Sequence, residues 1–103
     1  VVGGFLVGPN ADLDGANLTG LNLSRKTLPG ISLNGADLDG TDFTGTILAG
    51  ADMRNSSMSG TNITASQLVS ANLTGITSSG IIGKPRSLPT GWKINAGILI
   101  PPE

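Results

Sequence analysis

Residues 11–23 read ADLDGANLTGLNL and residues 31–45 read ISLNGADLDGTDFTG. Together they set a period that the whole middle of the chain obeys. An apolar residue returns at every fifth position without a slip: Leu13, Leu18, Leu23, Leu28, Leu33, Leu38, Phe43, Leu48, Met53, Met58, Ile63, Leu68 and Leu73. Two residues before each stands a small or apolar residue in most cases, among them Ala11, Ala16, Ile31, Ala36, Ala51 and Ala71, and two residues after it there is usually Gly. The position immediately before the apolar residue is Asp, Asn, Ser, Thr or Gln in twelve of thirteen repeats, so it faces water.

A period of five fits neither regular element. In an α-helix five residues advance roughly 500°, and the apolar column would wander around the cylinder. In a strand an odd period throws successive apolar residues onto opposite faces. The pattern is coherent only if the chain turns a corner in every repeat. The apolar residue and the small residue two before it then both point inward, and Gly or Asn takes the bend, where positive φ costs least. That is an all-β solenoid.

The residues also set the number of faces. Outward positions are polar almost throughout, except beside Leu28, Leu48 and Leu68, where Pro29, Ile47, Ala49 and Val69 stand. These sites recur every twenty residues, so four repeats per coil stack them on one face whereas three would scatter them. Leu13, Leu33, Met53 and Leu73 then form one core column, and Leu23, Phe43 and Ile63 another.

The stretches ADLDG, ANLTG, ISLNG and TDFTG resemble the A(D/N)LXX pattern of the pentapeptide-repeat family over roughly residues 9–80. The resemblance implies a right-handed quadrilateral β-helix of three to four coils. The later stretch LPTGWKINAGILIPP is similar to the LPxGW…G(Y/F)LxGP spacers that join runs of such repeats in some bacterial proteins, which implies a long parent of tandem units. The expected organisation is the end of an apolar spacer or N-terminal cap at 1–8, a solenoid at 9–79, and a C-terminal spacer at 80–103 with a possible hairpin packing on the solenoid.

The chain has 103 residues, enough for one domain. Sixteen Gly, three aromatic residues and 13% charge would lean towards disorder in a non-repetitive chain. Only the repeat rescues this composition. Cys and His are both absent, which removes thiolate chemistry, disulfides, the commonest metal ligands and the commonest general base. No catalytic residue, metal site or cofactor is expected. The sequence begins at Val1 with no signal-like stretch and no run of 18 apolar residues. It reads as a soluble segment of a longer precursor, with no indication of compartment.

The two ends resemble each other. Gly4-Phe5-Leu6-Val7-Gly8-Pro9 matches Gly97-Ile98-Leu99-Ile100-Pro101-Pro102, and Val1-Val2-Gly3 aligns with Ile94-Asn95-Ala96. The C-terminal segment is too apolar to stay in solvent: Ile81, Ile82, Leu88, Trp92, Ile94 and Leu99 are candidates for a capping tail, and WKI-NAG-ILI carries a turn signal between two apolar runs. That tail has two possible docking sites, the open C-terminal coil or the stripe of Pro29, Ile47, Ala49 and Val69. If the stripe stays uncovered it becomes a contact surface.

Other candidates read as products of the repeat. Asp12, Asp14, Asp37, Asp39, Asp42 and Asp52 occupy positions where any polar residue serves, and none lies in a calcium-loop pattern. The sequons at Asn17, Asn22, Asn55, Asn62 and Asn72 arise from the repeat itself. Arg25, Lys26, Lys84, Arg86 and Lys93 lack the aromatic interleaving of a nucleic-acid surface. Lys26 falls on an inward column, with its stem buried and its ammonium reaching the open end. The family includes quinolone-resistance proteins that mimic DNA and bind gyrase. DNA carries one charge per about 1.7 Å, so coils stacked over roughly 16 Å would need about nine negative charges, against six Asp and three bases in the solenoid.

The sequence therefore reads as a non-enzymatic structural unit, a rigid spacer or protein-interaction scaffold within a larger tandem-repeat protein. Its partners would be neighbouring repeat units or another protein, met through the apolar stripe or a coil end, with no nucleic acid and no membrane. The alternative is a protein-binding module of the gyrase-interacting, DNA-mimicking kind.

Overall fold

The computed structural model, which describes residues 2–102, shows how one repeat makes one corner. Asp12 Oδ1 accepts the N–H of Asp14 at 3.1 Å, and the N–H of Ala16 closes the turn onto Leu13 O at 3.0 Å. Between them Gly15 has φ of 70°, in the left-handed region that type II turns require at their third residue. The Asx bond to the N–H two residues on recurs at Asn17, Asn22, Asp37, Asp42, Asp52, Asn62 and Asn72. Asp and Asn are favoured at this position because their side chains fold the backbone locally. Arg25, Asn55, Ala65 and Ser70 take the Gly place at φ of 57° to 62°, where an L-residue is strained by about 1–2 kcal/mol.

Successive corners stack at a spacing of twenty residues. Parallel bridges join Asp12 to Ser32, Ser32 to Asp52 and Asp52 to Asn72, and equivalent series run from Asn17, Asn22 and Thr27. Around one such bridge Leu13 N donates to Ser32 O and Ser32 N donates to Ala11 O, both at 2.8 Å. Four repeats therefore close one coil, and the molecule is a right-handed quadrilateral β-helix. Its faces are too short for regular strands except at β1 (Ser57–Ser59) and β2 (Thr77–Ser79), which pair in parallel. The bridges Asn62 to Ile82 and Gln67 to Ser87 carry the stacking past residue 79, so the ladder spans nearly four coils. The whole measures 36 × 22 × 22 Å.

All thirteen central side chains lie in the interior, with Phe43 the largest. The second inward position is lined by small residues in the middle coils: Ala36, Thr41, Thr46, Ala51, Ser56, Thr61 and Ser66 are all buried. Buried hydroxyls need partners, and Thr41, Thr46 and Thr61 donate to Leu18 O, Leu23 O and Leu38 O of the preceding coil at 2.6–2.7 Å. Larger residues occupy this position towards the ends: Leu21 and half-buried Lys26 in the first coil, Ile76 and Ile81 in the last.

Beyond Ser87 the chain folds back as a hairpin of β3 (Lys93–Asn95) and β4 (Ile98–Ile100). Its loop, Ala96-Gly97, has φ of 52° and 75°, the paired positive φ of a type I′ turn. The hairpin closes the C-terminal coil. Leu99 N donates to Ser78 Oγ, Ile81 N donates to Gly97 O, each at 3.0 Å, and Leu99 joins the buried core. Ser78 stands where the column of Leu18, Leu38 and Met58 would place another apolar residue. It gives up apolar volume and supplies the hydroxyl that anchors β4. Leu88, Trp92 and Ile94 pack half-buried against the core. Ile82 does not: the register that points Ile81 inward puts Ile82 at the outward bridging position opposite Asn62, where it is exposed. At the other end Val2 and Phe5 exchange two hydrogen bonds of 2.9 Å around Gly3-Gly4, making a second hairpin turn. Val1 and Glu103 lie outside the described residues.

Phe43→Ala should lower stability by about 3–5 kcal/mol, since it leaves a large cavity in the middle coils. An unchanged denaturation midpoint would overturn the register. Ala65→Gly should instead raise stability by about 0.5–1 kcal/mol, because relief of the positive φ outweighs the extra chain entropy of glycine. Chemical denaturation of the two variants measures both effects.

Candidate interaction surfaces

The polar groups of the four faces are largely consumed by the fold. Asp14 accepts from the Ser32 hydroxyl and from Asn34 N at 2.9 Å. Asp39, in the second coil and on the next face, does the same, accepting from Ser57 Oγ at 2.6 Å and Ser59 N at 2.8 Å. These two carboxylates tie neighbouring coils together. Asp12, Asp37, Asp42 and Asp52 each hold their own corner. Asp52 also forms a two-pronged ion pair with Arg54, whose Nε and Nη2 donate at 2.9 and 2.8 Å. The Thr44 hydroxyl and N–H hold the Asp42 carboxyl below its ordinary pKa against a small opposing effect of burial. Arg54 does the same for Asp52, and its own pKa is raised in return. Among the described residues no group of three or more His, Cys, Asp or Glu is placed to hold a metal ion. No helix of the described residues is long and apolar enough to cross a membrane.

The basic residues are not gathered into one patch. Arg25 and Lys26 sit in the first coil, Lys84 and Arg86 in the last, and Lys93 on the hairpin. Of the five sequon asparagines, Asn17, Asn22, Asn62 and Asn72 spend their side-chain oxygen on the corner.

The apolar stripe is assembled by the twenty-residue register. Gly30 N donates to Ala49 O and Gly50 N to Val69 O, each at 3.0 Å, which sets Pro29, Ala49 and Val69 one above the other. Ile47 lies beside them, between its bridging partners Thr27 and Gln67. Pro29, Ile47 and Ala49 are half-buried and Val69 is 46% exposed. The tail's anchoring bonds go to Ser78 and Ile81 at the coil end. Two further apolar surfaces lie at the ends of the rod. One is Leu6, 78% exposed, and the other is the outer side of β4, where Ile98 and Ile100 are exposed. A shallow groove lined by Gly91, Lys93, Ile100, Pro101 and Pro102 runs along that outer side. The end-to-end similarity in the sequence pointed to both segments; which side of each is buried and which exposed appears only in three dimensions.

The family described as Pentapeptide repeats matches residues 11–48 and 36–75, in eight copies. The fold is similar to that of a pentapeptide repeat protein from the thylakoid lumen of Arabidopsis thaliana, at 24% identity and a TM-score of 0.75 over 81% of this chain. The match spans 58% of that protein's length. Weaker structural matches include HetL, a pentapeptide repeat protein involved in heterocyst differentiation regulation from the cyanobacterium Nostoc, at 24% identity and a TM-score of 0.37 over 75% of this chain and 36% of that one. Another is QnrB1, a plasmid-mediated fluoroquinolone resistance protein, at 21% identity and a TM-score of 0.43 over 71% of this chain and 44% of that one. No curated protein sequence matches the chain.

A carboxyl whose folded pKa is depressed stabilises the protein above its unfolded pKa, and that contribution is lost as the pH falls through the folded value. Acid should therefore weaken the fold as the pH drops below the ordinary value of 3.8 at Asp42 and Asp52. Asp42→Asn should leave stability near neutrality almost unchanged, since Asn22 and Asn62 hold the corners above and below it in the same way. It should also flatten part of the acid dependence. Melting curves from pH 7 to pH 2 test this, and an identical acid limb in the variant would remove Asp42 as a contributor.

Proposed function

Because the chain belongs to the pentapeptide-repeat family, we propose that it serves as a non-enzymatic structural unit, a rigid spacer or protein-interaction scaffold between neighbouring units of a tandem array. The observation that carries this reading is the repetition of one element at both ends. The Val2–Phe5 turn and the Asn95–Ile98 turn occupy matching sequence and have the same backbone form, with paired positive φ at Gly3-Gly4 and at Ala96-Gly97. An element that serves as both the end of one unit and the start of the next gives a unit built to be joined. The use of the acidic side chains as corner and coil ties supports a structural role over a catalytic one. Six Asp against five bases in the stacked coils (Arg25, Lys26, Arg54, Lys84 and Arg86) also leave the rod far short of the charge density of DNA.

The coding sequence around this segment should contain another run of pentapeptide repeats directly before Val1 or directly after Glu103. Unrelated sequence on both sides would remove the tandem-array reading.

A further inference from the structure

The two end hairpins bury opposite faces of the same strand. At the C-terminus Leu99 is only 4% exposed while its neighbours Ile98 and Ile100 face out. At the N-terminus the residues aligned with those neighbours, Phe5 and Val7, pack against the first coil, whereas Leu6, the counterpart of Leu99, is 78% exposed. Alternate residues of an extended strand point to opposite sides. Each copy of the hairpin therefore uses one side and leaves bare the side that the other copy uses.

The main chain repeats the same complementarity. The C-terminal hairpin is held to its coil by Gly97 O, which accepts from Ile81 N, and by Leu99 N, which donates to Ser78 Oγ. The corresponding groups at the N-terminus, Gly4 O and Leu6 N, have no partner among the described residues. Space agrees as well. A Cβ on Gly97 would come within 3.2 Å of Ile81 N, whereas a Cβ on Gly4 would meet nothing within 4 Å. An apolar side chain, an acceptor, a donor and a glycine without a neighbour thus lie along one edge of the N-terminal hairpin. All four are the features by which the C-terminal hairpin grips a closing coil.

We propose that the Gly4–Leu6 edge is the docking surface for the C-terminal coil of a preceding pentapeptide unit of this type. In that joint a single hairpin is shared: Leu6 enters the preceding unit as Leu99 enters this one, while Phe5 and Val7 stay under the following unit's first coil. The hairpin is then a two-sided lamina that splices two solenoids end to end and leaves neither coil end open. This inference rests on the tandem reading and adds to it the residues that make the joint. A separate copy of the chain is a poor occupant, because its own Leu99 already fills the site that Leu6 would enter.

The chain contains no cysteine, so Leu6→Cys supplies a single thiol at the proposed joint. In the single chain that thiol should react with a soluble maleimide as freely as an exposed cysteine, and the protein should remain monomeric in sedimentation. The second protein is a head-to-tail fusion in which Lys93 of one copy runs directly into Val1 of a full second copy, so that Val1 takes the place of Ile94. There, Leu6→Cys in the second copy should react at least about tenfold more slowly, as a site protected by local structure does. Leu6→Asp in that copy should lower the melting temperature of the fusion and leave that of the single chain unchanged. Equal thiol reactivity in both proteins, a fusion that fails to fold, or a self-associating single chain that protects the thiol would each overturn the proposal. Equal reactivity in a well-folded fusion would discard the joint and leave the array standing, whereas unrelated flanking sequence would discard the array itself.

Discussion

Main-chain hydrogen bonding at a spacing of twenty residues is the constraint on which every other feature depends. Each face is only a few residues long, and no face holds itself together. Its N–H groups and carbonyls are satisfied by the coils on either side, as around Leu13, Ser32 and Ala11. Because the ladder fixes which residue lies over which, it dictates the interior. Phe43 lies between Leu23 and Ile63, and the hydroxyls of Thr41 and Thr61 reach carbonyls of the coil before. A composition with three aromatic residues then suffices, since regular stacking rather than side-chain bulk closes the core. The same constraint makes the corners expensive to change. One residue added to a corner would shift every later apolar residue out of its column.

A ladder of this kind has an unavoidable weakness at its ends, where main-chain groups lose their partners and the apolar interior meets water. The C-terminal end answers with three changes to the repeat. The small inward column acquires Ile76 and Ile81, the central column gives up an apolar residue at Ser78, and β4 is laid across the coil with its N–H on that serine. The break in the repeat at Ser78 is thus a device of closure. Ser66 shows the opposite situation: its hydroxyl lies in the column of Thr46 but has no partner among the described residues.

Most of this architecture was legible in the sequence because the repeat is rigid enough to be counted. The five-residue period gave the solenoid, and the twenty-residue recurrence of Pro29, Ile47 with Ala49, and Val69 gave four faces, which the bridges share. What was not legible depended on register after the pattern failed. Counting twenty residues on from Thr61 and Leu68 would have placed Ile81 inward and Leu88 over the last central column. The apolar character of Ile82, read without register, placed it in the cap when it faces water. The double duty of the acidic residues was hidden too. Asp14 and Asp39 follow the central residue, where the repeat accepts many polar side chains, and only stacking brings the serine and main-chain N–H of the next coil within reach.

The way polar groups are spent also narrows where recognition can occur. A carboxylate already accepting two hydrogen bonds from the next coil has little to offer a ligand, and an Asx side chain that releases its corner gives up local backbone order. The faces of the rod are therefore poor places to evolve a specific contact without weakening the stack. The places left are those the ladder does not use: the outer methyls of Val69, the bare edge of the first hairpin and the outer side of the last. Two of these three are ends of the rod, and they carry the same sequence element with opposite sides exposed. A solenoid whose sides are chemically occupied and whose ends are complementary would transmit position along its axis, and this is the physical sense of the proposed spacer role.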